Sequence, residues 1–144
     1  MAMYGRRSQK ADALKDIPPF SGLNNKERME LARHVDEVEV RSDTMLTVQG
    51  GPGDAFYLIV DGKADVIRND TKITTLGAGD TVGEMALLDG EPRSATVVMI
   101  SDGTVLTMPR NEFKSVLNSI PAIALKILVS MSLRLREANN RLSE

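Results

Sequence analysis

Between Val35 and Pro109, short β-branched and apolar runs alternate with turn residues every 8–12 residues or so. Val38 and Val40, Met45-Leu46, Phe56 to Val60, Ala64 to Ile67, Ile73 to Leu76, Ala95 to Ile100 and Val105 to Met108 read as strands. Gly50-Gly51-Pro52-Gly53, Asp61-Gly62, Asn69-Asp70, Gly77-Ala78-Gly79 and Asp102-Gly103 stand between them. Such spacing predicts an antiparallel sandwich or barrel, and Asp61-Gly62 between two alternating runs is the clearest hairpin signal.

The flanks have helical character. Residues 1–15 are polar, with Arg6, Arg7, Lys10 and Lys15 offset by little acid; they predict a loose tail leading into one or two helical turns. Those turns end at Ile17, because a residue before proline is pushed out of the helical region and Pro18-Pro19 follow. Phe20, Gly22 and Leu23 form a turn. Asn24 or Asn25 then caps a helix running to about His34, with Met29, Leu31 and Ala32 on its buried side. Beyond Pro109 a short helix is expected over Arg110 to Asn118, and Pro121 suits the first turn of a longer one reaching Leu142. Along that helix Ala124, Leu128, Met131, Leu135, Ala138 and Leu142 trace a heptad seam, while Ile123, Leu125 and Ile127 make a second apolar face. A helix apolar on two sides usually meets two surfaces. The β region is one; a partner chain or a movable lid surface is the other, against the simpler alternative of a helix packed wholly into its own domain.

Composition narrows the function. At 144 residues the chain reads as a single domain spanning 1–144. Eighteen Lys and Arg against twenty Asp and Glu give a formal charge of -2, too balanced to draw nucleic acid or an anionic membrane by its overall field. The absence of cysteine excludes a disulfide framework, and a single histidine, His34, excludes a site built on two imidazoles. Aromatics at 3% leave no stacking platform for single strands. No secretory signal or membrane-spanning run is found, so a cytoplasmic, non-enzymatic binding protein is the expectation.

Chemistry concentrates in Gly83-Glu84-Met85-Ala86-Leu87-Leu88-Asp89-Gly90-Glu91-Pro92-Arg93-Ser94-Ala95-Thr96-Val97. Gly83 permits close backbone approach. A single helical turn over 84–88 would present converging N–H groups to an anion. Arg93, after a Gly-Glu-Pro turn, offers a planar fork matched to two phosphate oxygens, and Ser94 adds a hydroxyl. Glu84 is an acceptor suited to a sugar hydroxyl rather than to a phosphate. An anion clamp beside a carboxylate reads as phosphate plus ribose.

Gly83, Glu84, Ala86, Leu87, Arg93, Ser94 and Ala95 also match a fixed template, a coincidence expected by chance at roughly one position in 10⁸ at average residue frequencies. The segment resembles the phosphate-binding cassette of the cyclic nucleotide-binding domain family, which includes the bacterial catabolite activator protein, protein kinase A regulatory subunits and cyclic nucleotide-gated channels. Ile17-Pro18-Pro19-Phe20-Ser21-Gly22-Leu23 is similar to the family's entry motif, and Gly50 to Gly62, with Phe56-Tyr57-Leu58-Ile59, to its central hairpin.

The resemblance implies a mainly β fold: an eight-stranded antiparallel β-roll or jelly roll with N-terminal helices and a C-terminal lid helix over 121–142. It implies that Arg93 pairs with the cyclic phosphate, assisted by Ser94, and that Glu84 takes the ribose 2′-hydroxyl. Backbone groups of Gly83, Met85 and Ala86 would line the sugar-phosphate, and Val82, which replaces the family's usual aromatic, would pack near the base. Arg134 falls where some bacterial channel domains place an arginine against the base. Asn139 falls where the catabolite activator protein uses a polar contact from its dimer partner. The implied function is a cyclic nucleotide sensor, with cAMP as ligand ahead of cGMP, no cofactor, a homodimer through the C-terminal helix and an effector protein the sequence does not identify. No DNA-binding domain is expected, because the chain stops at Glu144, just after the lid helix. Two other readings stand beside this one: a dimerisation pseudo-domain that no longer uses its pocket, and a cupin-like metalloenzyme, which one histidine disfavours.

Overall fold

The computed structural model describes residues 3–83 and 89–143, which divide into two compact units: 35–114, and 1–34 together with 115–144.

Among its described residues the first unit, 35–114, holds eight strands: β1 (Asp36–Val40), β2 (Met45–Thr47), β3 (Ala55–Asp61), β4 (Ala64–Arg68), β5 (Thr71–Leu76), β6 (Thr81–Val82), β7 (Thr96–Met99) and β8 (Gly103–Pro109). They form two antiparallel four-stranded sheets, in the orders β1-β8-β3-β6 and β2-β7-β4-β5. The expected β-roll class is therefore found. Leu46, Ala64, Val97 and Met99 from one sheet meet Ile59, Val82 and Val105 from the other in one buried cluster. The two-residue β6 escapes a pattern search because two residues carry no period.

One expectation is overturned. Asp61-Gly62 does not close a hairpin: β3 pairs with β8 and β6, while β4 pairs with β5 and β7. The turn is a corner between sheets. Gly62 takes φ +104°, and a Cβ there would lie 2.9 Å from the Asp102 carbonyl oxygen, so only glycine fits this tight crossing. The two-residue hairpin is instead β4–β5. Asn69 and Asp70 both take positive φ (51° and 64°), the mirror-image turn whose twist matches paired strands. The Gln49 side chain clasps that turn, accepting from Asn69 N at 2.9 Å and donating to Asn69 Oδ1 at 2.8 Å.

The other unit is helical. Its α1 (Met3–Leu14) occupies most of the stretch expected to be a loose tail. Ala11 and Leu14, three apart and so on one face, are fully buried, and α1 packs on α2 (Asn25–Ala32). Tertiary packing thus supplies what the polar composition does not. A 3₁₀ turn (Pro18–Phe20) leads into α2, which is capped by Asn24. Asn24 Oδ1 accepts from Glu27 N and Glu27 Oε1 accepts from Asn24 N, each at 2.9 Å, a reciprocal box satisfying two otherwise orphaned donors. Leu31 and Ala32 are buried, whereas Met29 is partly exposed.

A third helix, α3 (Arg110–Ser119), straddles the boundary between the units, and α4 (Pro121–Ser143) is the long C-terminal helix. Ile123, Ile127 and Ser130, at i, i+4 and i+7, form the buried face of α4, which packs on the 3₁₀ turn. Lys126 Nζ reaches Glu27 Oε1 at 2.7 Å. Leu125, grouped with that face from sequence, is 64% exposed, because two residues advance a helix by about 200°. The heptad seam is largely uncovered: Leu128, Leu135 and Leu142 are 64%, 62% and 86% exposed.

Candidate functional site

Within the β unit a pocket of about 340 Å³ opens between the β4–β5 ribbon and the segment entering β7. Val66, Leu76, Val82 and Val97 give it an apolar wall, and Gly83, Arg93 and Ser94 line it together. Sequence reading thus placed four of its residues, Val82, Gly83, Arg93 and Ser94, at one site. Glu84, Met85 and Ala86 lie outside the described residues. Arg134 and Asn139 sit exposed on α4 in the helical unit, where Arg134 Nη1 lies 3.7 Å from Met131 Sδ.

Arg93 is fixed at both ends. Its backbone N–H donates to the Gly51 carbonyl at 2.9 Å, and its carbonyl accepts from Gly50 N at 2.8 Å, so the glycine loop before β3 pairs with it like a short strand. Its guanidinium Nη2 donates to the Ala55 carbonyl at the start of β3. Arg93 is only 8% exposed, and its buried Nη1 has no hydrogen-bond partner among the described residues. Burial pushes the guanidinium pKa down from its ordinary value, opposed by the attraction of Tyr57 and Asp54. A buried, undersatisfied cation is costly, and an anion would relieve it by supplying an acceptor and a countercharge together.

Gly83 explains where that guanidinium can rest. It takes φ +75°, and a Cβ added to it would overlap Arg93 Nη1 and lie 2.8 Å from Cζ. The bare glycine backbone is the seat of the guanidinium, a closer reason for glycine than the backbone approach expected from sequence. Val82, one residue earlier on β6, is 8% exposed and pairs with Tyr57. Ser94 is exposed, and its carbonyl accepts from Arg68 Nε at 3.1 Å.

Sequence reading missed Arg68 and the apolar wall. The signal was present: Ala64, Val66 and Arg68 alternate along β4, so all three share the face turned to the core and pocket. Which strand forms the wall depends on long-range pairing, which no local pattern reports. Among the described residues no group of three or more acidic or histidine side chains is placed to hold a metal ion, and no single helix is long and apolar enough to cross a membrane.

The chain is similar to known proteins in sequence and in fold. A protein-family model described as a cyclic nucleotide-binding domain matches residues 37–119. The cAMP-dependent protein kinase regulatory subunit of Aspergillus niger is 34% identical over 122 residues, covering 83% of this chain and 30% of that protein, so the chain spans under a third of that relative's length. Among solved structures, the N-terminal domain of a transcriptional regulator from Streptomyces coelicolor superposes with a TM-score of 0.82 at 28% identity, covering 90% of this chain and 96% of that one. The regulatory domain of Toxoplasma gondii PKA, crystallised with cAMP, gives a TM-score of 0.71 at 26% identity over 91% of this chain and 51% of its own. With β1 to β8 and the Gly83–Arg93 pocket lying almost wholly inside the matched span, the chain belongs to the cyclic nucleotide-binding domain family.

Proposed function

We propose that the β unit is a sensor for a 3′,5′-cyclic nucleotide, with cAMP preferred over cGMP, and that Arg93 holds the ligand's phosphate. The observation that carries this reading is the buried Nη1 of Arg93, which has no partner among the described residues and rests on Gly83 at the edge of an apolar-walled pocket. A phosphodiester supplies the acceptor and the negative charge that Arg93 Nη1 lacks, and the wall of Val66, Leu76 and Val97 suits a base. Glu84 as acceptor for the ribose 2′-hydroxyl, backbone contacts from Met85 and Ala86, support from Ser94 and base packing against Val82 complete the proposal on the strength of the family motif.

Closure of the C-terminal helix on the base, with Arg134 or Asn139 as the capping contact, belongs to the same reading. So does pairing of two chains along the exposed seam of α4, with the signal passed to an effector in the cytoplasm. A ligand moves such a helix only by binding its closed state more tightly than its open one.

The test is calorimetric titration of cAMP and cGMP into the wild type and Arg93→Gln. Removing a buried, charge-assisted contact costs about 1.5–3 kcal/mol, so the variant should bind roughly ten- to 150-fold more weakly. Equal affinities in the two proteins overturn the phosphate assignment, and tighter binding of cGMP overturns the ligand preference.

A further inference from the structure

The pocket has a second guanidinium, and neither the family motif nor the reading above uses it. Arg68 ends β4 on the same face as Ala64 and Val66, and it lines the pocket that Arg93 and Ser94 line. Its Nε donates to the Ser94 carbonyl at 3.1 Å, which docks the fork beside the residue that follows Arg93. Its two Nη groups make no hydrogen bond or ion pair among the described residues. Arg68 therefore resembles Arg93 in design: one nitrogen anchored on a backbone carbonyl, the remaining donors unspent. A surface arginine with no task would lose side-chain entropy to hold that anchored pose for little return. Asp89 and Glu91 also line this pocket, so without Arg68 the single charge of Arg93 would face two carboxylates.

We propose that Arg68 is a second ligand-binding residue, its free Nη groups donating to the same phosphate that Arg93 holds, so that two guanidinium forks clamp one anion from different sides. The inference rests on the cyclic nucleotide reading above. Two forks approaching from different directions meet different exocyclic oxygens of a cyclic phosphodiester, and that gives a stereochemical signature. Replacing either oxygen by sulphur yields two diastereomers, and each arginine should sense one substitution more than the other.

The experiment measures affinities of the wild type, Arg68→Gln, Arg68→Lys and Arg41→Gln for cAMP and its two phosphorothioate diastereomers. Arg41 is exposed, and it lines a different hollow, so its loss changes net charge equally without touching this pocket. Arg68→Gln should weaken cAMP about three- to tenfold, between the values for an exposed ion pair and a buried charge-assisted bond, while Arg41→Gln stays within twofold. Arg68→Lys, which keeps the charge and loses the fork, should recover part of that affinity but not the wild-type preference between diastereomers. A diastereomer ratio unchanged in Arg68→Gln overturns the proposal, because a residue that only braces the Ser94 backbone would weaken both analogues alike. Arg68→Gln matching Arg41→Gln overturns it as well. If the wild type binds no cyclic nucleotide, both readings fall; if it binds, and Arg93→Gln alone loses affinity, only this one does.

Discussion

Replacing Gly83 with alanine separates backbone strain from the role of the glycine as a seat for Arg93. The left-handed backbone at φ +75° costs an alanine about 1–2 kcal/mol. The new methyl would also occupy the position of Arg93 Nη1, with Cζ 2.8 Å away, so the guanidinium has to leave. Leaving breaks its bond to the Ala55 carbonyl, a loss offset in part by rehydration of a charge that burial penalises. The net stability loss is then close to the strain alone, a fall in Tm of about 2–8 °C. Ligand affinity should fall much further, roughly ten- to 150-fold, because the anion loses its clamp. Gly79→Ala is the matched control. It takes φ +90° with nothing within 4 Å of its Cβ, so it bears the strain without the clash and should lose Tm while keeping affinity. Thermal scans and calorimetry on both variants give the answer. Gly83→Ala with wild-type cAMP affinity would refute the seat, and equal affinity losses in both variants would show that strain, not displacement of Arg93, is responsible.

Three further outcomes are expected. The Glu27 carboxyl is held below its ordinary range, first by its hydrogen bond from Lys126 and then by the Asn24 N–H. Its contribution to stability is therefore complete above about pH 4.5 and lost as pH falls through the lowered value; urea midpoints measured down the acid limb should fall less steeply in Glu27→Gln than in the wild type. Ile59→Ala, at a fully buried position in the inter-sheet cluster, should cost about 2–5 kcal/mol by chemical denaturation, and a loss under 1 kcal/mol would contradict the core assignment. Leu128→Glu with Leu135→Glu changes two exposed seam positions, so thermal stability of the monomer should hold while sedimentation shows any dimer weakened; a dimer as strong as the wild type would exclude this seam.

Local signals made much of the fold legible. Strand-forming residues punctuated by turns gave seven of the eight strands, Asn24 gave the cap of α2, and Pro121 gave the start of α4. What failed was information that is not local. Asp61-Gly62 and Asn69-Asp70 are both good turn dipeptides, and only pairing across the sandwich decides that the first turns a corner between sheets and the second closes a hairpin. The helix α1 was expected as only one or two turns, because its face is completed by α2 rather than by its own pattern. At the site, Gly83 and Arg93 were legible because their chemistry is specified within eleven contiguous residues. Arg68 was not, since it arrives from another strand, and it is long-range pairing that brings it to the pocket and to the Ser94 carbonyl.

The sheet order has a consequence for how the chain assembles. Among the described residues strand β1 lies at a sheet edge and pairs with β8 alone, with Asp36 opposite Thr107 and Val40 opposite Gly103. As a chain of this sequence leaves a ribosome, β1 emerges early and then waits, its hydrogen-bonding groups unmatched, until β8 has followed. The closing step spans nearly the whole β unit, so loop entropy makes it slow compared with the β4–β5 hairpin, which needs only its two-residue turn. During that wait β1 is an open edge. Its sequence, Asp-Glu-Val-Glu-Val, places three acidic side chains along five residues, and like charges of this density discourage two waiting chains from pairing with each other. The acidity of β1, which contributes nothing to the pocket, is thereby accounted for as protection of an unfinished fold.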